Sequence, residues 1–423
     1  MLLNISVDIF FMAIQFLVWK HLSSKWLGHV SVINTLWLLM TGLSKLRPWE
    51  LYLPSETTYC YVYLMLLVFN MTSIFLFRRR KRNFKRVYLD IVEKPNYILL
   101  GTALFSAVVL AYNVPKFWHM FLVGGFASLR SNYLAGDEGE LHVGIFITWF
   151  ISSLIIAGSI LSVIQLLNTR SKKIAFWTLV INFVNVLMYV IITGGRFVFV
   201  MFFMAVAIEI WLHNKGNVIA IIKKNKKWLA LVLVSFVVVQ TVTTERSVNN
   251  MGFIGNIYVY FFATINLLDH FISSGVDPHL HELMYGENLI GGFTSPFIVI
   301  SNKIFGTDIE IPLAVIQSST SEFIYVSPHF WMNNNCTFLY GALRDFGVMG
   351  IVIYAFIWAY FLNWAYTKSH TKQKILGESL YVYSLVVSVL LLIEWMPCRP
   401  NILFTAIFIF VFYRINSKSV KLR

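Results

Sequence analysis

Charge is what this sequence has least of. Only 13% of its 423 residues are Asp, Glu, Lys or Arg, and 58% are hydrophobic, whereas soluble domains carry about 25% charged residues. Too few polar groups remain to cover a globular surface, so a polytopic membrane protein is predicted. Acids are scarcer than bases, 20 against 34, for a net charge of +14. That surplus does not read as a nucleic-acid footprint. The bases lie in short connectors between apolar runs, the positive-inside pattern, and no nucleic-acid partner is expected. Cysteine is nearly absent. Cys60, Cys336 and Cys398 make no disulfide framework and match no metal spacing. Cys336 and Cys398 are expected on one outer face, where a bridge and two unpaired thiols are both open. A basic leader is missing from Met1–Asp8, so the first apolar run is expected to be a permanent span. No internal repeat is visible, so the inverted-repeat signature of many transporters is not apparent.

Long apolar runs are abundant instead. A span needs about 20 apolar residues, and eleven segments qualify: 3–19, 27–46, 59–77, 97–114, 143–167, 174–192, 197–212, 228–243, 346–366, 376–394 and 402–414. The predicted fold is therefore an all-α polytopic integral membrane protein with about eleven transmembrane helices. It divides into 1–243, with helices one to eight; 244–345, a large extracytoplasmic loop; and 346–423, with helices nine to eleven and a cytoplasmic tail. Six connectors on one side hold 25 of the 34 Lys and Arg, among them the run Arg78–Arg86. That side is assigned to the cytoplasm, which puts the N-terminus outside and the C-terminus inside.

The outer side then holds two sizeable loops. The smaller, Pro115–His142, carries Arg130 and the acidic turn Gly136–Glu140, read as solvated. The larger, Thr244–Asp345, has nine acids, three bases and four of the ten histidines. Within it, Gly252–Leu268 and Leu289–Phe305 are apolar but broken by Gly, Asn, Pro and Ser, which suits interfacial or re-entrant helices. An acidic, His-containing segment inside a basic apolar chain is where chemistry is expected, and the loop is expected to lie on the membrane over a cavity.

Arginines at the outer surface are the first candidates. Gly194-Gly195-Arg196 separates two spans by a tight turn, and Arg196 there either snorkels to lipid phosphate or binds a phosphate or pyrophosphate group. Glu245-Arg246 closes span eight on the same side, so Arg196 and Arg246 could act as a clamp. Arg344-Asp345 enters span nine, where Asp345 could serve the helix dipole or a proton transfer. The Asn333–Asn335 run offers amides to a sugar, Asn335 among them, and Arg399 stands in the last outer turn, Glu394–Asn401. His279, His281, Glu282 and His329 are candidate general bases, because histidine exchanges a proton near neutral pH. His279-Leu-His281 lacks a further ligand at known spacing, and no metal and no cofactor are expected. Glu209 inside span seven is either functional or interfacial.

Three features together resemble the Wzy-type O-antigen and capsular-polysaccharide polymerases. They are the Thr193-Gly-Gly-Arg196 hairpin, the long outer loop opening with Glu245-Arg246, and the closing Thr337-Phe-Leu-Tyr-Gly-Ala-Leu-Arg-Asp-Phe-Gly-Val-Met-Gly350. The resemblance spans most of the chain in layout. It implies a GT-C-like glycosyltransferase of the bacterial cytoplasmic (inner) membrane that polymerises undecaprenyl-pyrophosphate-linked repeat units on the outer face. Donor and acceptor would both be lipid-linked glycans, with a flippase and a chain-length regulator as further partners. Arg196, Arg246, Arg130, Arg344, Asn335 and Arg399 would hold pyrophosphate or glycan, and His281, His329 and Asp345 would be the catalytic candidates. The related O-antigen ligases have a His-Asn pair before a similar Gly-x-x-Gly entry, where this chain reads Asn335-Cys-Thr337. That departure disfavours a ligase. A flippase or transporter is the main non-enzyme alternative, and a metal-dependent polyprenyl-phosphate-sugar glycosyltransferase lacks an early acidic motif.

Overall fold

The computed structural model describes residues 2–23, 28–81, 96–134, 143–168, 172–213, 262–273, 282–333, 336–370 and 374–421, with 255 and 258. Among these the chain is almost entirely helical. Its helices are α1 (Leu2–Ser23), α2 (His29–Leu46), α3 (Glu56–Lys81), α4 (Tyr97–Leu134), α5 (Ser152–Asn168), α6 (Lys172–Thr193), α7 (Phe197–His213), α8 (Thr264–Ser273), α9 (Glu287–Phe305), α10 (Pro312–Ser319), α11 (Thr337–Phe346), α12 (Val348–Lys368), α13 (Lys374–Leu390) and α14 (Pro400–Lys421). One antiparallel hairpin, β1 (Ile324–Ser327) and β2 (Phe330–Met332), lies between α10 and α11.

Among the described residues, five helical stretches are long and apolar enough to cross a bilayer: Glu56–Phe77, Tyr97–Leu129, Phe146–Leu167, Lys172–Thr193 and Val348–Lys368. Phe197–His213, Ile375–Leu390 and Pro400–Ile415 are shorter apolar helices. This is a helical, membrane-embedded protein. The segment predicted as a span at 228–243 lies outside the described residues, as does the turn Gly136–Glu140.

One expectation needs correcting. Pro115 is expected to open a loop running to His142, yet the helix continues through it to a kink at Gly125, beyond which a second helical stretch runs to Leu134. Proline removes one backbone donor, which an apolar helix tolerates when neighbouring groups re-satisfy the freed carbonyl. The apolar run Phe117–Val123 then carries the helix on, until Gly125 (φ 61°, ψ −161°) breaks it.

The chain forms two compact units, each discontinuous in sequence. The first takes 1–85, 249–364 and 387–400. Its core is aromatic: Phe338 packs edge-on to Trp37 and Trp358 at 5.6 and 5.8 Å, Phe69 meets Trp358 at 4.7 Å, and Tyr354 meets Trp395 at 4.3 Å. Polar pairs cross between its helices, where they act as directional ties in an apolar setting. Asn34 and Asn70 exchange amide hydrogen bonds between α2 and α3. Asn363 of α12 donates to Ser73 of α3 at 2.9 Å and bonds buried His29 of α2 at 3.2 Å. Asp8 of α1 and Lys45 of α2 form a buried ion pair at 2.7 Å.

The second unit takes 86–248, 365–386 and 401–423. Its centre is α5 with the π-helical turn Phe146–Ile151 before it, the most deeply buried of the five long apolar stretches. Small residues allow that burial. Ser152, Ser153, Ser159 and Ser162 fold their hydroxyls back onto carbonyls of the preceding turn, and Gly158 lies against Asn182 of α6. Ser153 also donates to the Asn401 carbonyl at 2.8 Å, at the start of α14.

Candidate functional site

The candidate site in the first unit is built around α11, the helix that carries the closing motif. Its first N–H groups are satisfied from the irregular end of α13: Thr337 donates to the Ile393 carbonyl at 2.9 Å and Phe338 to that of Leu391 at 3.0 Å. Its last turn ends at Gly347, whose φ of 58° lets the chain reverse into α12. A β-carbon at Gly350 would come within 1.8 Å of the Ala342 carbonyl oxygen, so the first turn of α12 closes on α11 only with glycine there.

This corner sets Arg344 and Asp345 side by side at the end of α11, both buried. Asp345 was expected in the first turn of the span that follows. It sits instead in the last turn of α11, and it serves a different helix. Its carboxylate accepts the backbone N–H groups of Asn288 at 3.1 Å and Leu289 at 2.8 Å, the open N-terminus of α9. The Tyr354 hydroxyl donates to it at 2.5 Å. The backbone reinforces the junction: Met284 N–H donates to the Arg344 carbonyl at 2.7 Å and Tyr285 N–H to that of Asp345 at 3.1 Å. Burial raises the Asp345 carboxyl above its ordinary range, and the hydrogen bonds from Tyr354 and the α9 backbone offset only part of that.

Arg344 has a different environment. It is 2% exposed, and among the described residues no carboxylate pairs with it. Its Nη1 donates to Ser319 Oγ at 3.2 Å and Tyr340 Oη at 3.3 Å, and the guanidinium carbon lies 6.0 Å from the Tyr340 ring centre. Its Nε has no hydrogen-bond partner among the described residues. A guanidinium without a counter-charge in such a place is expensive. What it offers chemically is an N–H donor and a positive charge next to two hydroxyls.

The other predicted residues are dispersed. Arg399 forms a two-point ion pair with Glu394, at 3.1 and 2.6 Å, so its charge is already matched. His329 occupies the β1–β2 turn, exposed, with Nε2 3.4 Å from the Glu50 carboxylate. Arg196, in the second unit, stands where expected, in a tight turn between α6 and α7. Gly194 has φ 58°, Gly195 N–H donates to Thr193 Oγ1 at 3.1 Å, and Arg196 is half-buried. Arg130 falls in the last part of α4, and its side chain lies outside the described residues. Arg246, His281 and Asn335 also lie outside them. Cys336 and Cys398 are both buried. Burial, with Glu394 close by, pushes the Cys398 thiol well up.

Two arrangements escaped the sequence. Asp8 and Lys45 are single charges inside apolar runs, a pattern that marks intramembrane ionisable groups. Asp8 also accepts from Tyr63 at 2.5 Å, and Lys45 donates to the same hydroxyl at 2.8 Å. Asp269 of α8 accepts from Ser55 N–H at 2.8 Å and from Thr58 Oγ1 at 2.7 Å, so it ties α8 to the start of α3 across more than 200 residues of chain. No local motif announces such a tie. No family model matches the chain, and neither the curated proteins nor the solved structures contain a match to it.

Proposed function

We propose that the chain is a glycosyltransferase of eleven spans with a GT-C-like arrangement. It would polymerise undecaprenyl-pyrophosphate-linked oligosaccharide repeat units on the outer face of the bacterial cytoplasmic membrane. The observation that carries the reading is Arg344, a buried guanidinium with no acid among the described residues to neutralise it. A charge kept in that state is explained if an anion uses it. The resemblance in the surrounding motif makes that anion the pyrophosphate of a lipid-linked glycan. Ser319 sits at the end of the eight-residue α10, so displacement of that short helix would open the guanidinium to a ligand.

In the reaction, an acceptor hydroxyl attacks the anomeric carbon of the donor as the bond to pyrophosphate breaks. A base takes the hydroxyl proton, and the lipid pyrophosphate leaves with the negative charge. Arg344, once reached by the pyrophosphate, would stabilise that developing charge. Two lipid-anchored substrates side by side gain from proximity. The pyrophosphate linkage is already activated, so no nucleotide is consumed. Asp345 is best read as the anchor that holds α11 to α9 and thereby sets the position of Arg344.

The test is the glycan ladder of cells lacking the protein, complemented with wild type, Arg196→Ala, Arg246→Ala or Arg344→Met at matched membrane levels. Single-repeat glycan in the null strain, restored to a ladder by wild type and not by the variants, is expected. Repeat units trapped on the cytoplasmic side would make the protein a flippase. Long polymer stranded on its lipid carrier would make it a ligase.

A further inference from the structure

The β1–β2 hairpin turns its aromatic face outward. Its inward residues Ile324, Val326, Phe330 and Met332 are all buried. The opposite face shows Tyr325 paired with Trp331, ring centres 5.3 Å apart, and Phe323 6.1 Å from Trp331. Tyr325 in β1 and Phe323 just before it are 54% and 56% exposed, although the hairpin already has a complete apolar side. The platform is rigid. Tyr52 N–H donates to the Val326 carbonyl at 2.9 Å on the outer edge of β1, and the Asn333 amide donates to the Ser321 carbonyl at 2.8 Å at the open end.

We infer that this platform is a binding surface for a neutral or amino-bearing sugar ring of the glycan, an inference that rests on the glycosyltransferase reading above. The polarised C–H face of a pyranose stacks on aromatic rings, whose faces carry partial negative charge. The surroundings favour a sugar over a lipid surface. From 304 to 343 the chain has three acids, Asp308, Glu310 and Glu322, and no Lys or Arg. An anionic bilayer attracts basic segments, so an acidic one is a poor anchor. Glu322 adjoins Phe323, and exposed Glu50 reaches the hairpin through His329. Carboxylates at the rim accept hydroxyl or ammonium hydrogens from a sugar.

The test uses the full chain in nanodiscs and saturation-transfer NMR with tri- to hexasaccharides of glucose, galactose, N-acetylglucosamine and glucosamine. Transfer to at least one class is expected with wild type and with Phe297→Ala, an exposed control. It should fall at least about fivefold in the Tyr325→Ala/Trp331→Ala double variant, since each ring contact contributes of the order of 1 kcal/mol. No transfer across the panel, or transfer unchanged in the double variant, overturns the inference. So does quenching by brominated lipid of a fluorophore at Tyr325→Cys in a Cys60→Ser background, because the hairpin would then lie in the bilayer. Saccharide binding by a protein whose null strain makes a normal ladder would retain the platform and sink the polymerase. A ladder lost in the arginine variants without saccharide binding would do the reverse.

Discussion

Arg344 and Asp345 are neighbours in sequence with opposite circumstances. Asp345 has its oxygens occupied by a helix N-terminus and a phenol, whereas Arg344 keeps an N–H without a partner among the described residues. Their substitutions should therefore diverge. Asp345→Ala removes a cap contributing about 0.5–2 kcal/mol and strands the Tyr354 hydroxyl, so thermal melting in detergent should fall. Arg344→Met should leave melting unchanged or raise it, since an apolar side chain relieves a buried charge, while the glycan ladder disappears. A marked loss of stability in Arg344→Met would mean the guanidinium is structural. Asp345 also carries a pH signature. Its carboxyl is raised in the fold, so between its ordinary value and that raised value the folded state holds more protons than the unfolded one, and stability falls as pH rises through that window. Comparing melting curves as pH rises from the ordinary carboxylate range should show that slope in wild type and its loss in Asp345→Asn. The sequence singled out this pair but not the helix it serves. The N-terminus capped by Asp345 begins 57 positions earlier in the chain, and no local pattern encodes such a partner.

Among the elements, the long helices were the most legible part of the chain. Ten of the eleven predicted spans coincide with helices among the described residues, because long, mostly apolar runs leave few alternatives. The turn at Gly194–Arg196 was legible for a similar reason: two spans with almost nothing between them must reverse tightly. What misled was Pro115, whose local signal is termination while its apolar surroundings sustain the helix. Ties between helices stayed hidden, Asp8–Lys45 above all. That pair has 6% side-chain exposure on each partner. Removing one member should destabilise the fold by about 3–5 kcal/mol, and removing both much less. A double-mutant cycle with Lys45→Met, Asp8→Leu and the pair, read as midpoints of chemical unfolding in detergent, measures this. Additive losses would show that the two charges do not depend on each other.

At the scale of the whole molecule, the asymmetry of charge argues for one orientation. Basic connectors on one side and an acidic 244–345 segment on the other predict that Asp308 is extracytoplasmic and Ser369 cytoplasmic. In a Cys60→Ser background, an impermeant maleimide should label Asp308→Cys in intact spheroplasts and Ser369→Cys only after lysis. Labelling in the opposite order would invert the topology and remove the proposed reaction from the outer face.

The first unit is interleaved with the second along the chain, and that has a consequence during synthesis. After residue 85, about 160 residues belonging to the other unit emerge before the first unit resumes at 249. Phe338, the first of the later core aromatics, lies about 250 residues beyond residue 85, so at roughly 5–20 residues per second α1–α3 wait on the order of ten to fifty seconds for the helices that complete their aromatic core. During that interval α3 has no Asp269 at its first turn, and Trp37 has no Phe338 to pack against. The nascent helices must be sheltered by the insertion machinery or by one another. Asp8 and Lys45, which both lie within the first 85 residues, are equipped to hold α1 and α2 together through that delay.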